Sequence, residues 1–333
     1  MPIRLCLNWH QYGSLGSYYY LKYLKPIAIK PRSEMPGAWA EQPDGPNQPL
    51  WQIEMAGSDQ MKGSWTLGKR QMPVRLDRVP GDFEELEQPC GSMLHNRPRL
   101  TGIKVKTERS HLDGVAYTRE MLVPGSQFNE SVEIETFRID GRSPASQRIN
   151  SALHKPLKGY AAGGPWFDCL ISATNLTGLD GEFAEIVKPT MIGKRWLAVD
   201  QQVGGFCGGA HSYSGNSSRV FDLQTGAEID LHDWLTDWVV ERSGDGAGGE
   251  TATLRPNIRK AILAKWRAED EDCQQIVEET VFWDIGLSRS GFIFTPSLPH
   301  AAQACTESFP MNFSQLRPFL NAEGKLGIAA LVP

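Results

Sequence analysis

Long apolar runs are the first thing this sequence lacks: no stretch of about eighteen or more apolar residues occurs, so no segment reads as a membrane-spanning helix. Charge of one sign is also scarce. The 34 lysines and arginines face 39 aspartates and glutamates, and the net charge of −5 is spread over mixed acids and bases. That pattern leaves no electrostatic footprint for nucleic acid, although an acidic balance favours a basic partner. Signature motifs are missing too. There is no Gly-x-Ser-x-Gly elbow, His-Glu-x-x-His pair, Walker loop, EF-hand or Rossmann fingerprint, and each absence removes a class of chemistry. Enzyme readings therefore rest on scattered residues, and no cofactor is expected. The cysteines never form Cys-x-x-Cys, which argues against zinc knuckles and thioredoxin-type redox motifs. The opening Met-Pro-Ile-Arg-Leu reads without a signal peptide, so an exported protein is expected here in mature or trimmed form.

What is present points to two domains, since 333 residues are too many for one small core. The six cysteines, Cys6, Cys90, Cys169, Cys207, Cys273 and Cys305, form an even, dispersed set that suits disulfides. Grouping them by region pairs Cys6 with Cys90, Cys169 with Cys207 and Cys273 with Cys305, one of about fifteen connectivities that six cysteines allow. Oxidation would place the protein outside the cytoplasm; buried free thiols in a cytosolic protein are the other reading.

Residues 3 to about 80 read as an antiparallel meander, with alternating runs broken by Gly, Pro and Asp clusters. Its aromatics, Trp9, Tyr12, Tyr18, Tyr19, Tyr20, Tyr23, Trp39, Trp51 and Trp65, resemble a sugar-stacking platform, but strands favour aromatics for packing, and half of them are expected in the core. A Pro- and Glu-containing stretch marks a boundary. The expected fold class is α+β, with an antiparallel β-meander domain over 1–85, a connector over 86–100, and an α+β domain over 101–333 that has a central antiparallel sheet and flanking helices. Within the second domain, strands are expected at 101–106, 115–122, 131–139, 166–173, 183–187 and 195–203. Helices are expected near Pro144 to Leu157, where Ile149, Leu153 and Leu157 recur at spacing four as one apolar stripe, after Leu231, over about 252–270 and near Leu316 to Leu320. The third of these ends in Glu269-Asp-Glu-Asp272, whose acids oppose the macrodipole there. Ser243 to Gly249 resembles half of a phosphate loop but lacks the preceding strand and the Lys-Ser/Thr, and reads as a linker.

The stretch Val203 to Leu231 is the most distinctive. Its glycines let the backbone approach another surface closely, and His211 and Tyr213 are its large polar groups. Of seven histidines, His211 and His300 alone sit in loops with Gly or Pro neighbours. A His-His-carboxylate metal site with Asp200 has no spacing to support it, so no metal is expected. Glu182, Glu185 and Asp200 offer acid pairs for glycoside hydrolysis, as any chain with 39 acids would.

Gly-Gly-Ala-His211, then Phe221-Asp-Leu-x-Thr-Gly226 and Leu231-x-Asp-Trp-Leu235, behind a helix ending near Asn150 and a strand pair, resembles a bacterial extracytoplasmic domain. That domain forms the C-terminal half of the lysozyme-sensing anti-sigma factors of Gram-positive bacteria and accompanies some peptidoglycan deacetylases. Its closing pattern of aromatic strand, Pro-containing loop and short terminal helix is similar to Phe292 to Leu320, and the resemblance covers roughly 100–333. The first hundred residues look like the Gly-x-Tyr-x-Tyr and Gly-x-Trp meander that precedes such domains in many Gram-negative envelope proteins. One departure is Pro299-His300, where the family's loop often has a tyrosine after its proline. The resemblance implies a binding domain whose relatives fill a lysozyme's active-site cleft with loops. The resulting expectation is a periplasmic, non-enzymatic inhibitor, an immunity protein that blocks a secreted toxin such as a lysozyme-like glycan hydrolase. Its expected contact residues are Pro296, Ser297, Leu298, Pro299 and His300, with Ala210, His211, Ser212 and Tyr213. An envelope glycan-binding or sensing module, and a peptidoglycan hydrolase or deacetylase accessory protein, are the alternatives.

Overall fold

Alternating apolar residues between Gly and Pro breaks produce seven N-terminal strands: β1 (Ile3–His10), β2 (Gly13–Tyr20), β3 (Ile27–Pro31), β4 (Ala38–Glu41), β5 (Leu50–Met55), β6 (Gln60–Leu67) and β7 (Arg70–Asp77). They pair in sequence order, each antiparallel to the last, in a computed structural model that describes all residues except 11–12, 43–46, 82–86, 129–131, 158–163, 245–249, 265, 269 and 332–333. Every strand sends side chains to one shared interior: Leu5 and Leu7 from β1, Tyr18 from β2, Ile29 from β3, Trp39 from β4, Trp51 and Ile53 from β5, Trp65 from β6 and Val74 from β7. The sheet therefore curls around its own core. At the centre one carboxylate oxygen of Glu41 accepts hydrogen bonds from the Tyr18 hydroxyl at 2.6 Å, Trp65 Nε1 at 2.8 Å and Trp51 Nε1 at 3.1 Å. Burial, followed by the Glu41 carboxylate, raises the Tyr18 phenol far above its usual value. Tyr18, Tyr19, Trp39, Trp51 and Trp65 are all buried, so these aromatics are packing residues, while Tyr23 is exposed. Tyr12 lies outside the described residues.

Residues 89–100 form a wedge between the two domains. A 3-10 turn at Pro89–Gly91, the short helix α1 (Met93–Asn96) and a second 3-10 turn at Arg97–Leu100 bury Cys90, His95, Asn96 and Arg99. The wedge is bolted to both sides. Cys90 is disulfide-bonded to Cys6 of β1, the Tyr19 hydroxyl donates to the His95 carbonyl, and the Arg99 guanidinium makes a two-oxygen contact with Asp180 at 2.6 and 2.5 Å.

The second domain is built on a seven-stranded sheet of β8 (Lys104–Leu112), β9 (Val115–Val123), β10 (Val132–Ile139), β11 (Glu182–Ile192), β12 (Trp196–Phe206), β13 (Tyr213–Asp222) and β14 (Glu228–Ile229). Its neighbours are antiparallel except β10 and β11, which run parallel. A parallel pair needs a crossover, and two helices supply it. The first, α2 (Pro144–Leu153), is capped by Ser143, starts with Pro at its first turn, and buries Ala145, Ile149 and Leu153. The second, α3 (Gly164–Thr177), contains the residues 166–173 expected as a strand. Its buried Trp166, Phe167, Leu170 and Ala173 line one side of the helix while Asp168, Ser172 and Leu176 are exposed on the other, a helical period that the short apolar run had masked.

Beyond β14 come a hairpin of β15 (Val240–Gly244) and β16 (Glu250–Leu254), the helices α4 (Pro256–Ile262) and α5 (Glu271–Glu279), and a three-stranded sheet of β17 (Trp283–Leu287), β18 (Gly291–Pro296) and β19 (Phe309–Asn312). The chain closes with α6 (Phe313–Leu316) and α7 (Ala322–Ala329). The expected helix over 252–270 is thus a strand end, a short helix opened by Pro256, and the cap of the next helix. Asp270 caps α5 by accepting from the amides of Asp272 and Cys273, and Glu271 and Asp272 lie in its first turn. There they complement the helix dipole that they were expected to oppose. Ser243 and Gly244 belong to β15, and the remaining residues of the expected linker, 245–249, lie outside the described residues. The observed class is α+β.

A close approach joins the two domains at Gly178, which follows α3 with φ +80. A Cβ there would lie 2.8 Å from the Ala28 Cβ and 2.8 Å from the Gly16 carbonyl oxygen. Gly178→Ala is expected to cost about 1–3 kcal/mol, through left-handed strain and overpacking together. Urea titration against Gly57→Ala, whose Cβ would meet nothing within 4 Å at φ +123, separates the packing share.

Candidate functional site

β12 and β13 run as a long hairpin whose tip holds Gly208, Gly209, Ala210, His211 and Ser212. At its base Cys207 is bonded to Cys169 of α3, with an S–S distance of 2.01 Å. Gly208 turns with φ +89, and a Cβ on it would sit 2.7 Å from the Ala173 Cα, so glycine is required where the tip crosses the helix. Ala210, His211, Ser212 and Tyr213 are exposed. Burial, then the Glu185 carboxylate, pushes the Tyr213 phenol up.

The second loop leaves β18, runs through Ser297, Leu298 and Pro299, and enters a 3-10 helix at His300–Cys305. Cys305 is bonded to Cys273 in α5. Ser297, Pro299 and His300 are exposed. Pro296 is not a loop residue available to a partner: it is buried at the end of β18, in register with Trp283. Leu298 is half-buried against the C-terminal core, so only its edge is presented.

These two stretches, 85 or more residues apart in sequence, meet in space. The His211 and His300 rings stack with centroids 6.2 Å apart and planes 24° apart. Beside them Gln303 Nε2 donates to the Ser214 carbonyl, and the Ser214 hydroxyl donates to Gln303 Oε1. Ser214 and Gln303 escaped sequence reading, because a glutamine pairing with a strand residue leaves no local pattern. The pair of loops forms one exposed rim, each arm tied to a helix by its own disulfide.

Asp200 does not join the two histidines. It sits in mid-strand opposite Lys188 on one side and Ser218 on the other. Among the described residues no group of three or more His, Cys, Asp or Glu could hold a metal. Glu182 and Glu185 of β11 differ by three positions and so face opposite sides of the sheet. Asp200, aligned with Lys188, shares a face with Glu182 but lies six residues along the strand, about 20 Å away. Glycoside hydrolysis needs carboxyls roughly 5–9.5 Å apart, and these three do not supply that. Glu185 is held above its ordinary value by burial while accepting from Gln201 Nε2 at 2.7 Å.

A smaller cavity, of about 360 Å³, has polar walls of Ser218, Arg219, Glu228, Asp230, His232 and Asp284. Asp284 accepts from the Ser218 amide at 2.8 Å and its carboxyl is raised by burial. Burial also pushes Asp230 up, but the hydrogen bond from His232 Nδ1, 2.7 Å away, the charge and backbone amide of His232 and the charge of Arg242 together outweigh it and leave the carboxyl below its usual range. These residues leave no local pattern in the sequence, since they come from β13, β14, the 3-10 turn that Asp230 caps, and β17.

All three disulfides, Cys6–Cys90, Cys169–Cys207 and Cys273–Cys305, are formed, which fits an oxidising compartment outside the cytoplasm. No described helix is long and apolar enough to cross a membrane. No family profile and no curated protein matches the chain. Among solved structures, a DUF3298 family member from Bacteroides fragilis aligns over 68% of this chain and 94% of its own, at 11% identity and a TM-score of 0.42. A DUF3298 family protein from Pseudomonas aeruginosa PAO1 aligns over 69% of this chain and 97% of its own, at 13% identity and a TM-score of 0.37. Likeness at this level leaves the function to be argued from the site itself.

Proposed function

We propose that this is a periplasmic protein-binding inhibitor, an immunity protein that blocks a peptidoglycan-cleaving or other envelope-targeted toxin by lodging its paired loops in the toxin's active-site cleft. The observation that carries the reading is the junction of the two loops, His211 on His300 and Ser214 on Gln303, with a disulfide behind each. A rim already ordered before contact loses little conformational entropy on binding, so its contact energy appears as affinity. Exposed histidine rings flanked by Pro299 and Tyr213 supply the amphipathic surface that such contacts use. The net charge of −5 favours a basic partner, as many glycan hydrolases are. A glycan platform on the N-terminal aromatics is the weaker alternative, since five of those rings are interior. The accessory-protein alternative gains nothing from Glu182, Glu185 and Asp200, which do not converge.

Three experiments test it. Purified protein mixed with a panel of muramidases, and with the toxin encoded beside its gene, is expected to give a complex and to suppress cell-wall cleavage; absence of any complex at micromolar concentration ends the proposal. Once a partner is in hand, His211→Ala with His300→Ala is expected to weaken it by at least about 30-fold, the effect of a central contact of about 2 kcal/mol. Cys273→Ser with Cys305→Ser is expected to cost about 2–4 kcal/mol of stability in thermal or urea unfolding and to raise the dissociation rate.

A further inference from the structure

The meander domain has an unfilled side. β1 and β7 are the two edges of the seven-stranded sheet and are not paired with each other. Both edges nonetheless line a single open cavity of about 700 Å³, whose walls include the consecutive residues Met1 to Leu7 and Arg75 to Val79. Consecutive residues on both walls mean that the cavity is bounded by strand edges as well as by side chains.

Hydrogen bonding at the strand ends shows which backbone groups face it. Leu21 donates to the Pro2 carbonyl at 3.1 Å, so the even-numbered residues of β1 turn their backbone toward β2. Ile3, Leu5 and Leu7 therefore direct their amides and carbonyls to the cavity. At the other wall Arg78 donates to the Asp59 carbonyl at 2.8 Å, so the even-numbered residues of β7 turn toward β6. Arg75 and Asp77 point outward. Pro73 shares their parity, so its missing N–H falls on the free edge, where a strand tolerates proline.

Strand parity then decides what fits. In a meander of strictly antiparallel neighbours the first and seventh strands run in the same direction, so they cannot close on each other with antiparallel pairing. One more strand, antiparallel to both, would complete an eight-stranded barrel. We propose that this slot binds an extended segment of another polypeptide, which adds as the eighth strand between β1 and β7. Inward side chains of that segment, at every second position, would meet Ile3, Leu5, Leu7, Met61 and Leu76, which line the cavity. An acyl chain would fill the same apolar space but leave two rows of backbone donors and acceptors unpaired, which costs free energy that a peptide does not lose. This surface is separate from the paired loops and stands or falls independently of them.

The probe is a set of fluorescein-labelled nine-residue peptides with apolar and polar residues alternating, measured by anisotropy against the full protein. At least one is expected to bind, with slowed amide exchange at Leu5 and Leu7 and at Arg75 and Asp77. N-methylating the amides of its odd positions, or separately its even positions, is expected to weaken binding at least about tenfold in either case, because each set pairs with one edge. No binding by any peptide at about 1 mM, indifference to either methylated set, saturation of the slot by 11-dansylaminoundecanoate in place of peptide, or closure of the slot by a second copy in a stable dimer would each overturn the proposal.

Discussion

Arg99→Ala is expected to lower the unfolding free energy by about 3–5 kcal/mol, because it strands a buried carboxylate. The Arg99 side chain is 0% exposed and that of Asp180 10%. The guanidinium uses its whole fork: Nε donates to the Leu24 carbonyl at 3.1 Å, one terminal nitrogen to Asn96 Oδ1 at 3.0 Å, and the other to both oxygens of Asp180. Its plane lies over the Phe128 ring, 4.9 Å from the centroid. Leu24 is held at φ 58, a conformation that disfavours leucine, and the Arg99 contact helps to keep it there. One side chain therefore couples the meander, the wedge and the turn after α3. Replacing both partners by apolar residues, Arg99→Met with Asp180→Leu, is expected to recover more than half of the loss, since no charge is then left buried alone. Urea unfolding of the two single variants and the double variant measures this; a loss below about 1 kcal/mol in Arg99→Ala would show the pair to be peripheral.

The second large effect is acid sensitivity at His95. Its imidazole is pushed down to about 3, by burial first and then by the charges of Arg99 and Arg4. Tyr19 packs edge-on against it at 5.0 Å, its own phenol pushed up to about 12 by burial. In the unfolded chain the same histidine titrates near 6.5. Between those values the unfolded state binds a proton that the native state refuses, so stability is full above pH 6.5 and falls as pH drops toward 3. The slope is about 1.4 kcal/mol per pH unit and the total about 5 kcal/mol. His95→Gln is expected to remove that slope while carboxylate contributions remain in both proteins. Equal slopes for the two proteins between pH 6 and 4, in urea titrations at fixed ionic strength, would refute the assignment.

Local signals in the chain were clear where one face of an element is wet. The alternation of β1 to β7 and the amphipathic stripe of α2 are legible for that reason. The regional pairing of cysteines also matches the structure, because each pair closes its own part of the chain. Legibility fails where an apolar run hides the period inside it. In α3 the buried Trp166, Phe167, Leu170, Ala173 and Thr174 recur at helical spacing and Asp168, Ser172 and Leu176 form the exposed face, but the run from Trp166 to Ala173 holds only two polar positions and reads equally as a buried strand. The acids at 269–272 misled for another reason: charge tells that a helix end is near, but not which helix owns it. At the candidate site the sequence showed two exposed loops and no more. Their meeting depends on β13 and β17 packing through Ser218 and Asp284, a contact between residues 66 positions apart.

The connectivity of the three disulfides carries a consequence for how the chain is made. Each bond joins cysteines that are consecutive in sequence, first with second, third with fourth and fifth with sixth. A chain threaded N-terminus first into an oxidising compartment exposes its thiols in that same order, so Cys90, Cys207 and Cys305 each emerge to find their native partner as the one free thiol already waiting. The native pattern then forms by simple oxidation, without the slow reshuffling by thiol–disulfide exchange that crossed pairings require.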